Sequence, residues 1–251
     1  MNLKISIITV CYNSQKTITK TIESLSQQNY NNIEYIVIDG GSTDNTLSII
    51  NNYENHIDKL ISEKDNGVYD AINKGIKLAS GEIIGLLHSD DHYPNNNILS
   101  TVSGLFEKNN IDITWGDVVL LDENNNKKRF YSGSSVDISS FDIGIMPPHP
   151  SVFIKRNCYE EFGYFNTNYK IAADYDLLFR FLKLQKLKFM YDPNIIINMK
   201  LGGLSNRGFT SLINVNKEIY KIHRINGHPI SIFNILKKIP TRVMELINKN
   251  G

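Results

Sequence analysis

Two adjacent aspartates, Asp90 and Asp91, follow the short apolar segment EIIGLL, and a histidine stands on each side of them in HSDDH. An apolar segment of this length is typical of a buried strand, so the carboxylates stand close to a strand end, where they repel each other. Carboxylates suit Mg²⁺ or Mn²⁺, ions that keep positions open for substrate phosphates. The pair predicts either a divalent-cation site or a cap for the loop or helix that follows.

A second polar turn, DGGSTDN, begins with Asp39. Its glycines allow a ligand to approach the backbone closely, and its N–H groups are suited to binding an anion. The turn does not match the G-x-G-x-x-G pattern, so it gives little support to a dinucleotide site. A tight turn followed by a helix cap explains the same residues equally well.

These turns need a scaffold, and the first hundred residues alternate apolar segments with amphipathic ones. The pattern predicts strands at 5–11, 33–39, 56–63 and 82–87, and helices at 16–28, 46–53 and 68–79. Such an alternation forms a parallel sheet covered on both faces, with ligands bound beyond the carboxyl ends of the strands. We therefore expect the turns CYNSQ, DGGSTD and HSDDHYP to meet at one edge.

The second half has a different pattern. Segments 113–122 and 127–133 predict a hairpin, 146–156 a proline-rich loop that enters a strand, and 173–184 a helix. The chain after residue 207 is helical in pattern, with a break at Pro240. We expect a nucleotide-binding half at 1–100, an acceptor-binding half at 101–206 and a helical extension at 207–251.

The composition narrows the class of protein. The chain has 251 residues, of which 41% are hydrophobic, and a formal net charge of +1. A net charge this small gives no overall positive electrostatic field that would attract nucleic acid. The two cysteines, Cys11 and Cys158, are too few for a disulfide framework. No apolar segment has the length of a bilayer span, and ISIITVCY is interpreted as a buried strand rather than a signal peptide. We expect a cytoplasmic protein.

The segments ISIITVCYNS, DGGSTDNT, EKDNGVYDAINKGI, LLHSDD and AADYDLLFR occur in that order. Together they resemble the inverting nucleotide-sugar glycosyltransferases of glycosyltransferase family 2, and most closely the bacterial branch that builds exopolysaccharide, O-antigen or capsule. The resemblance covers about residues 3 to 205. It implies an α/β protein of the GT-A fold: a Rossmann-like, mostly parallel sheet flanked by helices, here with a helical C-terminal extension.

The resemblance assigns residues to the nucleotide sugar. Tyr12 stands where the family stacks an aromatic ring near the base, with Thr9 just before it. Asp39 matches the first aspartate of the family's D-D-G-S-T-D turn, but the second, which often reads uracil, is Gly40 here. Because of this departure we expect Asp65 to take part in base recognition.

Farther along the resemblance, Asp70 and Asn73 would lie along the same cleft, unless they are simply part of a helix face. By similarity Asp91 ligates Mn²⁺ or Mg²⁺, and Asp90 reaches the ribose or a metal-bound water. His88 and His92 are not assigned as ligands, because histidine is the less natural partner for Mg²⁺.

The resemblance places the general base at Asp174. Inverting transfer is a single in-line displacement, so the acceptor hydroxyl must lose its proton as it attacks. Positions two apart on a helix point in different directions, so only one of Asp174 and Asp176 should face the cleft. The family's usual glutamate before the base is Ala173 here. A first-turn carboxylate favoured by the helix dipole is the alternative reading of Asp174.

Two further residues are candidates for the acceptor pocket. His149 in PPHPS occupies a position where this branch often has histidine, although a packed loop histidine is an equal alternative. Trp115 would be a sugar platform or, more simply, a packing aromatic. The basic amphipathic tail after Arg207 either packs on the domain, pairs with a second copy or lies on an anionic membrane face.

The sequence thus predicts an inverting transfer from a nucleotide-diphosphate sugar, with UDP-sugars favoured, to a glycan or lipid-linked acceptor. The protein would be a hexosyl- or N-acetylhexosaminyltransferase of bacterial surface polysaccharide synthesis, cytoplasmic or peripheral on the inner face of the membrane. A non-catalytic nucleotide-sugar-binding partner of another transferase is the alternative. A nucleotidyltransferase is less favoured, because CYNSQKT does not resemble a basic, glycine-rich phosphate loop.

Overall fold

The structure is a computed structural model that describes residues 2–200, 208–231, 233 and 234. The described strands are β1 (Ile5–Cys11), β2 (Ile33–Asp39), β3 (Lys59–Ser62), β4 (Ile83–Leu86), β5 (Asp91–His92), β6 (Ile113–Leu121), β7 (Lys127–Tyr131), β8 (Phe153–Lys155) and β9 (Phe189–Lys200). The described α-helices are α1 (Ile18–Ser26), α2 (Thr46–Asn51), α3 (Val68–Leu78), α4 (Ile98–Lys108), α5 (Arg156–Phe162), α6 (Ala173–Leu178) and α7 (Gly208–Ile225).

The described strands form one sheet in the order β3-β2-β1-β4-β8-β6-β9-β5, and β7 pairs with β6. The first four strands in this order are all parallel, with Ile5 opposite both Ile33 and Ile83. This part confirms the predicted parallel sheet, whose turns follow the carboxyl ends of β1, β2 and β4.

The second half of the sheet mixes the two directions. Strand β8 runs antiparallel to β4 and β6, whereas β9 is parallel to β6 and antiparallel to β5. The hairpin β6–β7 confirms the prediction. Strand β9 was not predicted, because Pro193 and the polar residues beside it interrupt its apolar pattern. The register with β6 shifts between Trp115 and Val118.

Alternate residues of the central strands face opposite layers, as the period of a strand requires. Ile5 and Ile7 of β1 pack in one apolar cluster with residues of α1 and α4. Ile8 and Val10 pack in the other cluster with residues of α3 and α6. Both faces of the sheet are therefore covered, which explains why β1 is apolar nearly throughout.

The predicted helix at 173–184 begins as α6 and continues as a π-helical segment, Phe179–Leu184. Helix α7 confirms that the C-terminal extension begins with a helix. Residues 201–207, 232 and 235–251, including Pro240, lie outside the described residues, so the last part of the expected membrane-binding or dimer-forming tail is outside them as well.

Candidate active site

The three polar turns at the carboxyl edge of the sheet are joined by hydrogen bonds. The backbone N–H of Asn13 donates to Ser42 Oγ at 2.8 Å, and the N–H of Thr43 donates to Asn13 Oδ1 at 2.8 Å. The hydroxyls of Ser14 and Ser89 are 2.8 Å apart. The turns after β1, β2 and β4 therefore form one continuous rim, as predicted from their order in the sequence.

Tyr12 stands at this rim with 61% of its surface exposed. The next residue, Asn13, has a φ of 50°, a left-handed conformation that asparagine tolerates better than most residues. Its hydrogen bonds to the DGGSTD turn hold the backbone in that conformation. An exposed aromatic ring on a well-anchored loop is suited to stacking on a planar ligand.

Thr9 and Asp39 were predicted to contact the nucleotide sugar, and the structure corrects both predictions. Both residues are completely buried. The hydroxyl of Thr9 donates to Leu87 O at 2.7 Å, and the carboxylate of Asp39 accepts from Ser62 Oγ at 2.7 Å and from the N–H of Ser42 at 3.1 Å. Both side chains point into the protein and shape the turns rather than meet a ligand.

Asp65 occupies the place next to Gly40. A Cβ atom at Gly40 would lie 2.5 Å from Asp65 Oδ2, closer than any real contact of that kind. The other oxygen, Oδ1, accepts from the N–H of Gly67 at 2.8 Å, which leaves Asp65 half-buried beside the DGGSTD turn. Gly40 thus makes room for this carboxylate, and the role of Asp65 in base recognition stays a prediction.

The two adjacent aspartates differ sharply in exposure. Asp91 is 1% exposed, and neither of its carboxylate oxygens has a hydrogen-bond partner among the described residues. Burial raises the pKa of Asp91 well above its ordinary value, and the neighbouring Asp90 raises it further. Asp90 is half-buried; burial raises its pKa, and Lys200 opposes that rise.

Two neighbouring carboxylates, one of them without any hydrogen-bond partner, fit a hard divalent cation. In the described part of the chain no three histidine, cysteine or acidic side chains gather as a metal cluster, so water and substrate oxygens would complete the coordination. The predicted division of roles, with Asp91 as the metal ligand and Asp90 at the ribose or a metal-bound water, stays a prediction. Asp90 is the more exposed of the two, whereas both oxygens of Asp91 lack a partner among the described residues.

Asp174 lies in the first turn of α6 and comes close to His149. Its Oδ2 is 3.2 Å from His149 Nδ1, and its Oδ1 accepts from the N–H of Tyr175 at 2.8 Å. The Asp174 side chain is 12% exposed and that of His149 is 32% exposed. The ring of His88, whose centroid is 6.3 Å from that of His149, packs edge-on against it. Burial lowers the pKa of His88 to about 4, and His149 adds to the effect, so His88 is neutral.

Asp176 points away from this pair. Its carboxylate is 2.9 Å from Arg180 Nε, and Arg180 also donates to the backbone carbonyls of Phe162 and Tyr164, both at 2.7 Å. Asp176 is thus buried and paired with Arg180, and the orientation of Asp174 toward the cleft stays a prediction.

The backbone that leads into α6 is held by a residue that sequence reasoning missed. The carboxylate of Glu218, on α7, accepts from the N–H groups of Lys170, Ile171 and Ala172 at 3.0, 3.0 and 2.8 Å. The hydroxyl of Tyr69 donates to Ile171 O at 2.6 Å. No motif marks Glu218, because its partners are backbone groups 46 to 48 positions earlier in the chain.

The predicted roles of Trp115 and Asn73 are also corrected. Trp115 is 1% exposed; its Nε1 donates to Gly133 O at 3.2 Å and its ring stacks on Phe189, so it is a core residue and not a sugar platform. The amide of Asn73 pairs with both backbone groups of Phe165, at 2.8 and 3.0 Å. It connects α3 to a loop instead of facing the nucleotide sugar.

None of the helices in the described ranges combines the length and the apolar character that a membrane crossing needs.

Comparison with known proteins shows the family of this chain. The sequence model described as "Glycosyl transferase family 2" matches residues 6–187. A Mycobacterium tuberculosis protein named "PGL/p-HBAD biosynthesis glycosyltransferase" is 30% identical over 206 residues, which are 80% of this chain and 78% of that protein. An uncharacterised glycosyltransferase of Rickettsia felis is 31% identical over 224 residues, 85% of this chain but 36% of the relative.

Solved structures share the fold at low sequence identity. S. aureus TarS 1-349 in complex with UDP-GlcNAc superposes with a TM-score of 0.70 at 20% identity, over 89% of this chain and 65% of that one. The mannosyltransferase PcManGT of Pyrobaculum calidifontis, in complex with GDP-Man and Mn²⁺, superposes with a TM-score of 0.64 at 18% identity, over 92% of this chain and 66% of that one. These transferases have the GT-A fold, which confirms the predicted fold, and the chain belongs to glycosyltransferase family 2.

Proposed function

We propose that this protein transfers a sugar, with inversion, from a nucleotide-diphosphate sugar to a hydroxyl of a glycan or lipid-linked acceptor in bacterial surface polysaccharide synthesis. The observation that carries the proposal is the orphaned carboxylate of Asp91 beside Asp90, next to a rim of three turns joined by hydrogen bonds. A buried carboxylate without a partner is costly unless a cation compensates it. UDP-sugars are the favoured donors, in line with the UDP-GlcNAc complex of TarS.

In this proposal each part of the rim has one task. Tyr12 stacks on the base and Asp65 accepts a hydrogen bond from it. Asp91, with Asp90 beside it, holds Mn²⁺ or Mg²⁺. When bound, that ion offsets the charge of the departing diphosphate.

The chemistry that this chain's own residues supply is removal of a proton. Asp174 provides the carboxylate of the general base, and a base contributes about 10²- to 10⁴-fold to such a reaction. The acceptor oxygen attacks the anomeric carbon from the side opposite to the diphosphate. A donor with an α-linked sugar therefore gives a β-linked product.

A thermal-shift panel tests the donor. The protein is heated with UDP, UDP-glucose, UDP-galactose, UDP-GlcNAc and GDP-mannose, each with and without Mn²⁺. A specific ligand raises the midpoint by mass action, so we expect one donor to raise it in a Mn²⁺-dependent manner. An unchanged midpoint with every nucleotide, at ligand concentrations up to the millimolar range, would contradict the proposal.

We further propose that the enzyme acts in the cytoplasm, at the inner face of the membrane, where a lipid-linked acceptor would lie. The support is the sequence of the C-terminal segment, in which Lys237, Lys238 and Arg242 stand among apolar residues outside the described part. Cosedimentation of the full chain with anionic vesicles, but not with neutral ones, is the expected result. No binding to either kind of vesicle would remove this part of the proposal.

A further inference from the structure

We propose that the acceptor proton is taken by His149 rather than by Asp174 itself, with Asp174 as the carboxylate that orients the neutral imidazole and stabilises the imidazolium that forms. This inference rests on the proposed transferase function and adds the identity of the group that meets the acceptor.

The exposed fractions of the two side chains favour His149 as the group that meets the acceptor. Asp174 is the more enclosed of the two, at 12% exposed against 32% for His149. Both Asp174 oxygens also have close neighbours: Oδ1 accepts the N–H of Tyr175 at 2.8 Å, and Oδ2 is 3.2 Å from His149 Nδ1. The imidazole is therefore the more accessible of the two groups to an acceptor hydroxyl that approaches from solvent.

The position of Asp174 determines which ring nitrogen of the neutral His149 carries the proton. A carboxylate beside Nδ1 favours the proton on that nitrogen and leaves the lone pair on Nε2. No described residue forms a hydrogen bond with Nε2 of His149. Catalytic hydrogen bonds are often loose before the substrate binds, so the 3.2 Å separation is suited to tightening in the complex.

Neighbouring groups hold the pair in place. His149 lies between Pro148 and Pro150, in a short 3₁₀ turn, and His88 packs edge-on against its ring. The segment before Asp174 is fixed by Glu218, which accepts three backbone N–H groups. Contacts with other segments thus hold the backbone on either side of the pair, and general base catalysis depends on such positioning.

The proposed step is balanced in atoms and electrons. The acceptor oxygen forms its bond to the anomeric carbon while its proton moves to Nε2 of His149. The bond between the anomeric carbon and the diphosphate oxygen breaks, and its electron pair leaves with the nucleoside diphosphate. The carboxylate of Asp174 stabilises the imidazolium and remains ionised.

The test compares four variants of the full chain: His149→Ala, His149→Gln, Asp174→Asn and the double variant His149→Ala/Asp174→Asn. Transfer is measured with the donors of the panel above, Mn²⁺ and p-nitrophenyl glycosides as acceptors. His56→Gln, an exposed histidine on a short helical turn, is the matched control and should keep full activity. Thermal midpoints show whether each variant is folded, and His149→Gln replaces His149→Ala if the latter is not.

We expect each His149 variant to lower kcat by about 10²-fold or more, with the donor KM within about threefold of the wild type. Added imidazole should restore at least about tenfold of the lost rate to His149→Ala but not to His149→Gln, whose side chain fills the site. The double variant should lose about as much as the worse single variant, because the two groups act as a unit.

Transfer within about threefold of the wild type in a folded His149 variant would overturn the assignment and leave Asp174 as the direct base. Additive losses in the double variant would overturn it as well, as would a lack of imidazole rescue in His149→Ala. If the wild type itself transfers no sugar from any donor of the panel, the proposed function fails, and the base assignment fails with it.

Discussion

The carboxylate of Asp65 lies where a side chain at position 40 would have to be, since a Cβ at Gly40 would come within 2.5 Å of Asp65 Oδ2. The family's second turn aspartate and Asp65 therefore compete for one volume. This chain has a glycine at position 40 and so admits a carboxylate from the loop before α3. The acidic group is kept beside the rim, although it comes from a different part of the sequence.

Gly40→Ala should therefore weaken nucleotide binding by displacing Asp65. We expect about a tenfold loss of UDP affinity in the presence of Mn²⁺, measured by titration calorimetry. Gly104→Ala is the control, because an added Cβ there meets no atom within 4 Å and alanine favours the helix α4. Equal affinity of Gly40→Ala and the wild type would show that Asp65 does not touch the nucleotide.

Replacing Tyr12 should separate stacking from hydrogen bonding. The ring is 61% exposed without ligand, and stacking on a base contributes on the order of 1–3 kcal/mol. Tyr12→Ala is expected to lower UDP affinity by about tenfold or more, whereas Tyr12→Phe should change it by less than about threefold. A similar loss in both variants would point to the hydroxyl and away from the ring.

Asp91→Asn should remove the effect of the cation. We expect Mn²⁺ to raise the UDP-dependent thermal midpoint of the wild type and to have no such effect on the variant, because the partnerless carboxylate that the cation would compensate is lost. Glu54→Gln, an exposed carboxylate elsewhere on the surface, should respond like the wild type. If Asp91→Asn keeps the Mn²⁺ response and Asp90→Asn loses it, Asp90 is the direct ligand instead.

Glu218→Gln should slow transfer without affecting the donor. The amide keeps one acceptor oxygen but turns an NH₂ group toward backbone N–H groups of residues 170–172, which loosens the start of α6. We expect kcat to fall by about tenfold while the donor KM stays within about twofold. Glu161→Gln, an exposed glutamate, is the control. A change confined to the donor KM would contradict a role in positioning Asp174.

Glu34 should make stability depend on acid pH. Burial by itself would raise the pKa of this carboxyl, which is 4% exposed, but hydrogen bonds from Lys59, Ser6 and Ser80 lower the pKa from 4.5 to about 2. A group with a lowered native pKa stabilises the fold above its unfolded pKa, and this stabilisation is lost as the pH falls.

The wild type should therefore lose on the order of 2–3 kcal/mol of unfolding free energy through Glu34 between pH 4.5 and about 2. Urea unfolding of the wild type and of Glu34→Gln across that range measures the difference. The free energy of Glu34→Gln should fall less steeply with acid. Parallel curves for the two proteins would show that Glu34 has the same pKa in the folded and unfolded chains.

Local pattern was enough to predict the parallel half of the sheet and the meeting of its turns. Ile5 and its neighbours are apolar on both faces because helices cover both, and such strands can be recognised from the sequence. The edge at which the turns meet follows from strand direction alone. The motifs AADYDLLFR and LLHSDD likewise predict Asp174, Asp90 and Asp91 as site residues from the sequence alone.

Local sequence patterns do not predict the direction of the side chains near the ends of the strands. Thr9 and Asp39 stand in the right motifs but point inward, and Asp91 is enclosed where its neighbour Asp90 is not. Whether the last side chain of a strand faces ligand or core depends on a rotation of the backbone within one turn. That rotation is set by contacts with other turns, which no local pattern records.

The other features of the candidate site that the sequence does not predict arise from contacts between segments that are distant along the chain. His149 and Asp174 come within 3.2 Å only because the proline-rich turn before β8 and the start of α6 fold against the same rim, and Glu218 reaches that segment from α7. The sequence motifs predict which residues carry acid–base chemistry. Packing across 25 to 48 positions established which of them touch, because contact energy depends on distance in space and not on separation along the chain.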